Sequence, residues 1–225
     1  MSSKRLVEVV CSKCGEQSEF MYWDSINVTV DPELRIEFFN HKINHFDCSH
    51  CGNKGLVFED FIYHDMDSRF IISLLSSDNK DYLEKSKQSL SESISIMQET
   101  VNMDGFTTEY KFRIVFNLNQ LTEKVNIFES NLDDKIIEIL KLFIFRDFVD
   151  SKEEIIPEIF FVDILETNEI EFIVLTGGEG NYGVTLKLDT YKNIENQIHN
   201  GAFTKLYALN EWEVVDRDFV VDRLN

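Results

Sequence analysis

The chain is short of positive charge. It sets 22 Lys and Arg against 41 Asp and Glu, a formal net charge of −19 at pH 7. Such a surface repels phosphate backbones and anionic lipid, which argues against nucleic acid and membrane as partners. Long apolar runs are missing as well. The longest, IIEILKLFIFRDFV at 136–149, is broken by Glu138, Lys141, Arg146 and Asp147 and cannot span a bilayer unaided. Only 2 prolines occur, beside 19 phenylalanines, which excludes a disordered chain and leaves a folded one with a sizeable core. No secretory signal is read in MSSKRLVEVVCSKC, whose apolar stretch is short and lacks a small-residue cleavage pattern, so the expected compartment is the cytoplasm. Catalytic signatures are absent too: no G-x-S-x-G, no P-loop and no H-E-x-x-H. A G-x-G-x-x-G does occur at Gly178, Gly180 and Gly183. Alternating sequence comes after it where a phosphate-binding helix would have to begin, so it reads as a hairpin loop.

Cysteine is equally scarce, and its placement is informative. Four residues form two tight pairs, Cys11 and Cys14 in CSKCG and Cys48 and Cys51 in CSHCG, a C-x2-C-x33-C-x2-C pattern. Without an export signal, such pairs point to metal rather than disulfides. The two-residue spacing lets one turn bring both thiolates within a bond length of a single centre. Backbone N–H groups inside the turn can donate to the sulfurs. Gly15 and Gly52 follow the second cysteine of each pair and supply the positive φ such a knuckle needs. The expectation is a zinc ribbon in which Cys11, Cys14, Cys48 and Cys51 hold one structural Zn2+. Iron accepts the same four thiolates, so a rubredoxin-like site stays open. A thioredoxin-type pair fits less well, because it needs one C-x-x-C at a helix N-terminus, not two copies leading into strands.

The paired knuckles, the intervening VDPELRIEFFNHKINHFDC and the subsequent VFEDFIYHD resemble the bacterial and archaeal CpXC family. That family is named for two Cys-Pro-x-Cys motifs, and Cys11, Cys14, Cys48 and Cys51 take its four cysteine positions. Ser12 and Ser49 stand where the prolines would be; proline is not a ligand, so the metal site survives the change. RIVFNLNQLTEKVNIFESNLDDKIIEILK, further on, is similar to the segment C-terminal to the ribbon in longer members. The resemblance implies zinc binding and supplies no activity.

Patterning divides the chain into three sections of an α+β protein. Residues 1–75 read as a zinc-ribbon β domain. RLVEVV, EFMYW, INVTV, KGLVFEDFIYHD and RFIISLL are its strands, and Asp31 and Pro32 start a short helix over DPELRIEFFNH. Residues 76–153 read as mainly helical. Asp78 or Asn79 caps the first helix, a strand YKFRIVFN comes next, and Asp133 and Asp134 complement the dipole of the strongest helix. The apolar 139–149 stretch of that helix is either deeply buried or the interface of a homo-oligomer. Residues 154–225 return to alternation: strands PEIFFVDILE, EIEFIVLTG and YGVTLKLD, a helix DTYKNIENQIHN, a strand EWEVV and a last helix capped by Asp216.

Two further groups carry ligand or catalytic residue types. His41, His45 and His50 lie near the second knuckle and read as ordinary polar residues, since four cysteines complete a zinc shell without them. Tyr63, His64, Asp65 and Asp67 form the densest set of acid–base types, in what is more simply a polar turn. Acidic residues outnumber basic ones over 1–64, so the ribbon lacks the basic stripe of a nucleic-acid reader. These readings predict a structural zinc protein that presents a surface to protein partners. The alternative is a redox or metal-dependent enzyme using a four-cysteine iron site or the Tyr63-His64-Asp65-Asp67 group.

Overall fold

The structure, a computed structural model, describes residues 2–101, 110–149, 156–177, 180–207 and 212–224. It is α+β, and the chain forms two compact units, Met1–Asn117 and Leu118–Asn225. The first contains β1 (Ser3–Val10), β2 (Gln17–Asn27), α1 (Glu33–Phe39), β3 (His45–Asp47), β4 (Lys54–Leu56), β5 (Phe61–Asp65), β6 (Phe70–Leu74), α2 (Lys80–Val101) and β7 (Lys111–Val115). The second contains α3 (Leu118–Glu129), α4 (Asp134–Val149), β8 (Glu158–Ile164), β9 (Glu169–Leu175), β10 (Asn181–Lys187), α5 (Leu188–His199), a 3-10 turn at Thr204–Tyr207 and α6 (Arg217–Leu224).

In the first unit a five-stranded sheet runs in the order β1-β2-β5-β6-β7, with β2–β5 and β6–β7 parallel and the other pairs antiparallel. Strand β6, FIISL, is buried at every position and so has both faces covered, whereas β5 alternates between buried and half-buried residues. Tyr22, Ile26, Phe38, Tyr63, Phe70, Ile72 and Ile114 make the core. The strand YKFRIVFN, read inside the helical middle section, forms β7 and pairs with β6. A separate two-stranded ribbon, β3–β4, carries the second cysteine pair.

Several local expectations are corrected. INVTV is not a second strand: β2 runs through to Asn27, and 28–30 turn because the Asn27 side-chain oxygen accepts the N–H groups of Thr29 and Val30. KGLVFEDFIYHD is two strands of different sheets, β4 and β5. Asp31 does not cap α1; its carboxylate accepts the Ser2 hydroxyl at 2.6 Å, and the helix starts after Pro32 with no side-chain cap. Among the described residues of EWEVV no strand forms beyond a single bridge at Glu213, and Trp212 and Val215 are buried. Asn79 does cap α2, accepting the N–H groups of Asp81 and Tyr82, and Asp216 caps α6 through the Phe219 N–H.

In the second unit β10, β9 and β8 form an antiparallel sheet against which α3 packs, and α4 meets α5 and α6. The G-x-G-x-x-G segment links β9 and β10, which pair antiparallel, so no helix comes after it; Gly178 lies outside the described residues. Ile139, Leu140 and Ile144 are buried within this unit, and Phe143 is exposed.

Candidate metal centre

Each cysteine pair occupies the turn of a hairpin. In the first knuckle, between β1 and β2, the Cys11 N–H donates to the Glu16 carbonyl at 2.8 Å and the Gly15 N–H to the Cys11 carbonyl at 2.9 Å. In the second, between β3 and β4, the Cys48 N–H donates to the Asn53 carbonyl at 2.8 Å and the Gly52 N–H to the Cys48 carbonyl at 2.9 Å. The offsets are the same, and both glycines take the left-handed conformation, with φ of 74° and 67°. Two copies of one backbone motif thus face each other.

The sulfurs of Cys11 and Cys51 are 3.7 Å apart, as are those of Cys14 and Cys48, and all four lie within 4.8 Å of one another. The pairing runs between knuckles, and 3.7 Å is far outside disulfide bonding. A tetrahedron with metal–sulfur bonds of about 2.3 Å has edges of about 3.8 Å, so the spacing fits one zinc-sized ion. Cys11 and Cys48 are buried with Phe46, and Val9, Phe20 and Val57 close around them. Phe20 meets Phe46 edge-on at 5.9 Å.

Backbone N–H groups of Cys14 and Lys13 aimed at its sulfur bring the Cys11 thiol down to about 6. The Glu16 N–H pulls Cys14 the same way, but burial and the sulfurs of Cys51, Cys11 and Cys48 push that thiol up to about 12. Four sulfurs this close do not all ionise without a cation among them. The donor set therefore suits a metal ion, and among the described residues it is the one group of His, Cys, Asp and Glu close enough to hold one.

The other candidates do not join it. His50 is exposed, and His45 Nδ1 lies 3.1 Å from the Ile43 carbonyl. His41 and His45 stack edge-on with ring centres 6.3 Å apart. Along β5, strand alternation sends Tyr63 and Asp65 to one face and His64 to the other. Asp65 closes a turn, accepting from the Thr29 hydroxyl, the Asp67 and Ser68 N–H groups and the Ser68 hydroxyl. His64 sits between the Asn27 side-chain amide and the Tyr110 hydroxyl, each at 3.3 Å, and burial pushes it down to about 4. Asp67 is exposed. These four residues are not brought to one point.

Sequence reasoning missed a buried ionic cluster in the second unit. Lys124 Nζ lies 3.1 Å from Asp134 and 3.3 Å from Glu138, and Lys141 Nζ lies 3.0 Å from Glu123 and 2.9 Å from Glu138. The Phe161 N–H donates to Glu123 at 2.7 Å. Burial alone would lower the Lys141 pKa, but the carboxylates of Glu123 and Glu138 outweigh it and raise it. The readable signal was charge of both signs on the apolar faces of α3 and α4.

A sheet domain whose two facing knuckles bring four cysteines together defines a ribbon-type protein with a site compatible with metal binding. The family model described as CpXC protein matches residues 9–141, and the chain belongs to the CpXC family. No curated protein and no solved structure matches the chain.

Proposed function

We propose that Cys11, Cys14, Cys48 and Cys51 hold one Zn2+ as a closed structural site, and that the ribbon so formed is a protein-interaction or assembly module. The carrying observation is the tetrahedral spacing of four sulfurs on two equivalent knuckles. Four thiolates fill zinc's preferred coordination and leave no position open for substrate, which favours a structural role over a catalytic one. Two three-residue strands are too little sheet to stand alone, so β3–β4 depends on the centre. Exposed Leu6, Val10, Met21, Leu56 and Phe58 on and beside the ribbon support the interaction role. No helix among the described residues is long and apolar enough to cross a membrane.

The test is metal analysis by mass spectrometry on untagged protein expressed without added zinc, paired with a count of reactive thiols. One zinc per chain with no reactive thiol is expected. A red ferric protein, or a metal-free one whose thiols oxidise in pairs, overturns the reading and moves the search to electron transfer.

A further inference from the structure

Strand β1 is the edge of the five-stranded sheet, and no strand pairs with its outer side among the described residues. From Lys4 to Val10 it is regular, with Lys4 opposite Trp23, Leu6 opposite Met21, Glu8 opposite Glu19 and Val10 opposite Gln17. These pairs share one face, and it is open: Leu6 is 56%, Val10 58% and Met21 45% exposed. Natural edges are usually blunted by proline, irregularity or strong charge. This one has no proline, and its only register shift lies at Ser3/Lys4. Its charges are of both signs, Lys4 and Arg5 against Glu8, so they can be matched as well as repelled by an added strand.

The hydrogen-bond direction of each residue is set by the knuckle. The Cys11 N–H donates to Glu16, so the odd-numbered residues of β1 turn their backbone groups toward β2. Lys4, Leu6, Glu8 and Val10 therefore turn theirs outward. Arg5 is already engaged, with Asp24 at 2.7 Å and with Glu59. Lys4 lies over the Trp23 ring, 4.9 Å from its centre, on the open face.

We infer that the open edge of β1 pairs antiparallel with β1 of a second copy of this chain, about a two-fold axis at Leu6. A two-fold pairing must match even with even residues to use the outward groups. An axis at Lys4 or Glu8 sets like charges opposite, one at Arg5 sets Arg5 against itself, and one at Val7 places Glu8 against Leu6. The axis at Leu6 alone sets Lys4 of each copy against Glu8 of the other. Across the four strands β2-β1-β1-β2 the central row becomes Met21, Leu6, Leu6, Met21. The rows beside it read Glu19, Glu8, Lys4, Trp23, so each facing pair of carboxylates gains a cation. The contact is isologous and closes as a dimer. It deepens the interaction reading by naming the partner, and it does not depend on which metal the cysteines hold.

Size-exclusion with light scattering on the full, metal-loaded chain tests the pairing, with Lys4→Glu, Glu8→Lys and the double exchange, and metal content read on the same samples. The wild type is expected to be a dimer. Each single reversal should raise its dissociation constant by about tenfold or more, since two ion pairs become repulsions, and the double exchange should restore it. A wild-type monomer overturns the pairing, as does a dimer indifferent to the reversals or not restored by the exchange. If that monomer carries one zinc, the metal reading stands. Where a reversal costs metal, hydrogen exchange on the wild type decides. The Leu6 and Glu8 amides should slow with rising protein concentration, and concentration-independent exchange overturns the pairing.

Discussion

At Gly15 and Gly52 a side chain would meet nothing, since no atom lies within 4 Å of where a Cβ would stand. The demand is purely on φ, which is left-handed at both. Gly15→Ala should therefore weaken the metal-loaded protein by about 1 kcal/mol, and Gly15→Asn by less, because Asn tolerates that region. Urea melts of the two variants check this; equal losses contradict it. His64 makes a different single-residue prediction. Unfolded, it titrates near 6.5, while burial holds it at about 4 in the folded protein. Between those values the unfolded chain binds a proton that the folded one refuses. The contribution is complete above about pH 6.5 and is lost as pH falls toward 4, by up to roughly 3 kcal/mol. His64→Gln should flatten the acid side of the stability profile relative to wild type, and parallel profiles would refute the assignment.

At the scale of elements, α3 and α4 are joined by charge as well as by apolar packing. Lys124 is 2% exposed and faces both Asp134 and Glu138. Removing one partner of such a cluster leaves uncompensated charge in a dry site. Lys124→Met should destabilise the second unit by about 3–5 kcal/mol despite being apolar and of similar length, as read in denaturant melts. A loss below about 1 kcal/mol would show the pairs to be replaceable. The helices themselves were legible, because Leu121, Val125 and Phe128 recur at helical spacing. Their charged contacts were not, because which lysine meets which carboxylate depends on how the two helices lie together. The break in KGLVFEDFIYHD was hidden for a similar reason: its apolar residues suit one long strand, and only sheet pairing separates Leu56 from Phe61.

For the whole molecule, the centre and the main core are distinct bodies of structure. Cys11, Cys48 and Phe46 form their own cluster, apart from the sheet core around Tyr63, Phe70 and Ile72. Structural zinc contributes on the order of 10–16 kcal/mol of apparent binding energy in small modules. Chelation, or Cys48→Ser, should therefore release β3–β4 and the knuckle end of β1–β2 while the amides of β5, β6 and the second unit stay protected. Hydrogen exchange with and without chelator measures this. Protection of residues 45–56 that survives metal removal would show the ribbon to be self-supporting. The sequence by itself determined the four clustered cysteines, their glycines, the family and the α+β class, since spacing, φ demand and periodicity are local properties of the chain. Only the tertiary structure decided that the knuckles face each other at 3.7 Å, that Tyr63, His64, Asp65 and Asp67 diverge, and that Lys124 and Lys141 are buried among carboxylates. Those facts depend on which segments of the chain become neighbours, and that is set by the burial of surfaces far apart in sequence.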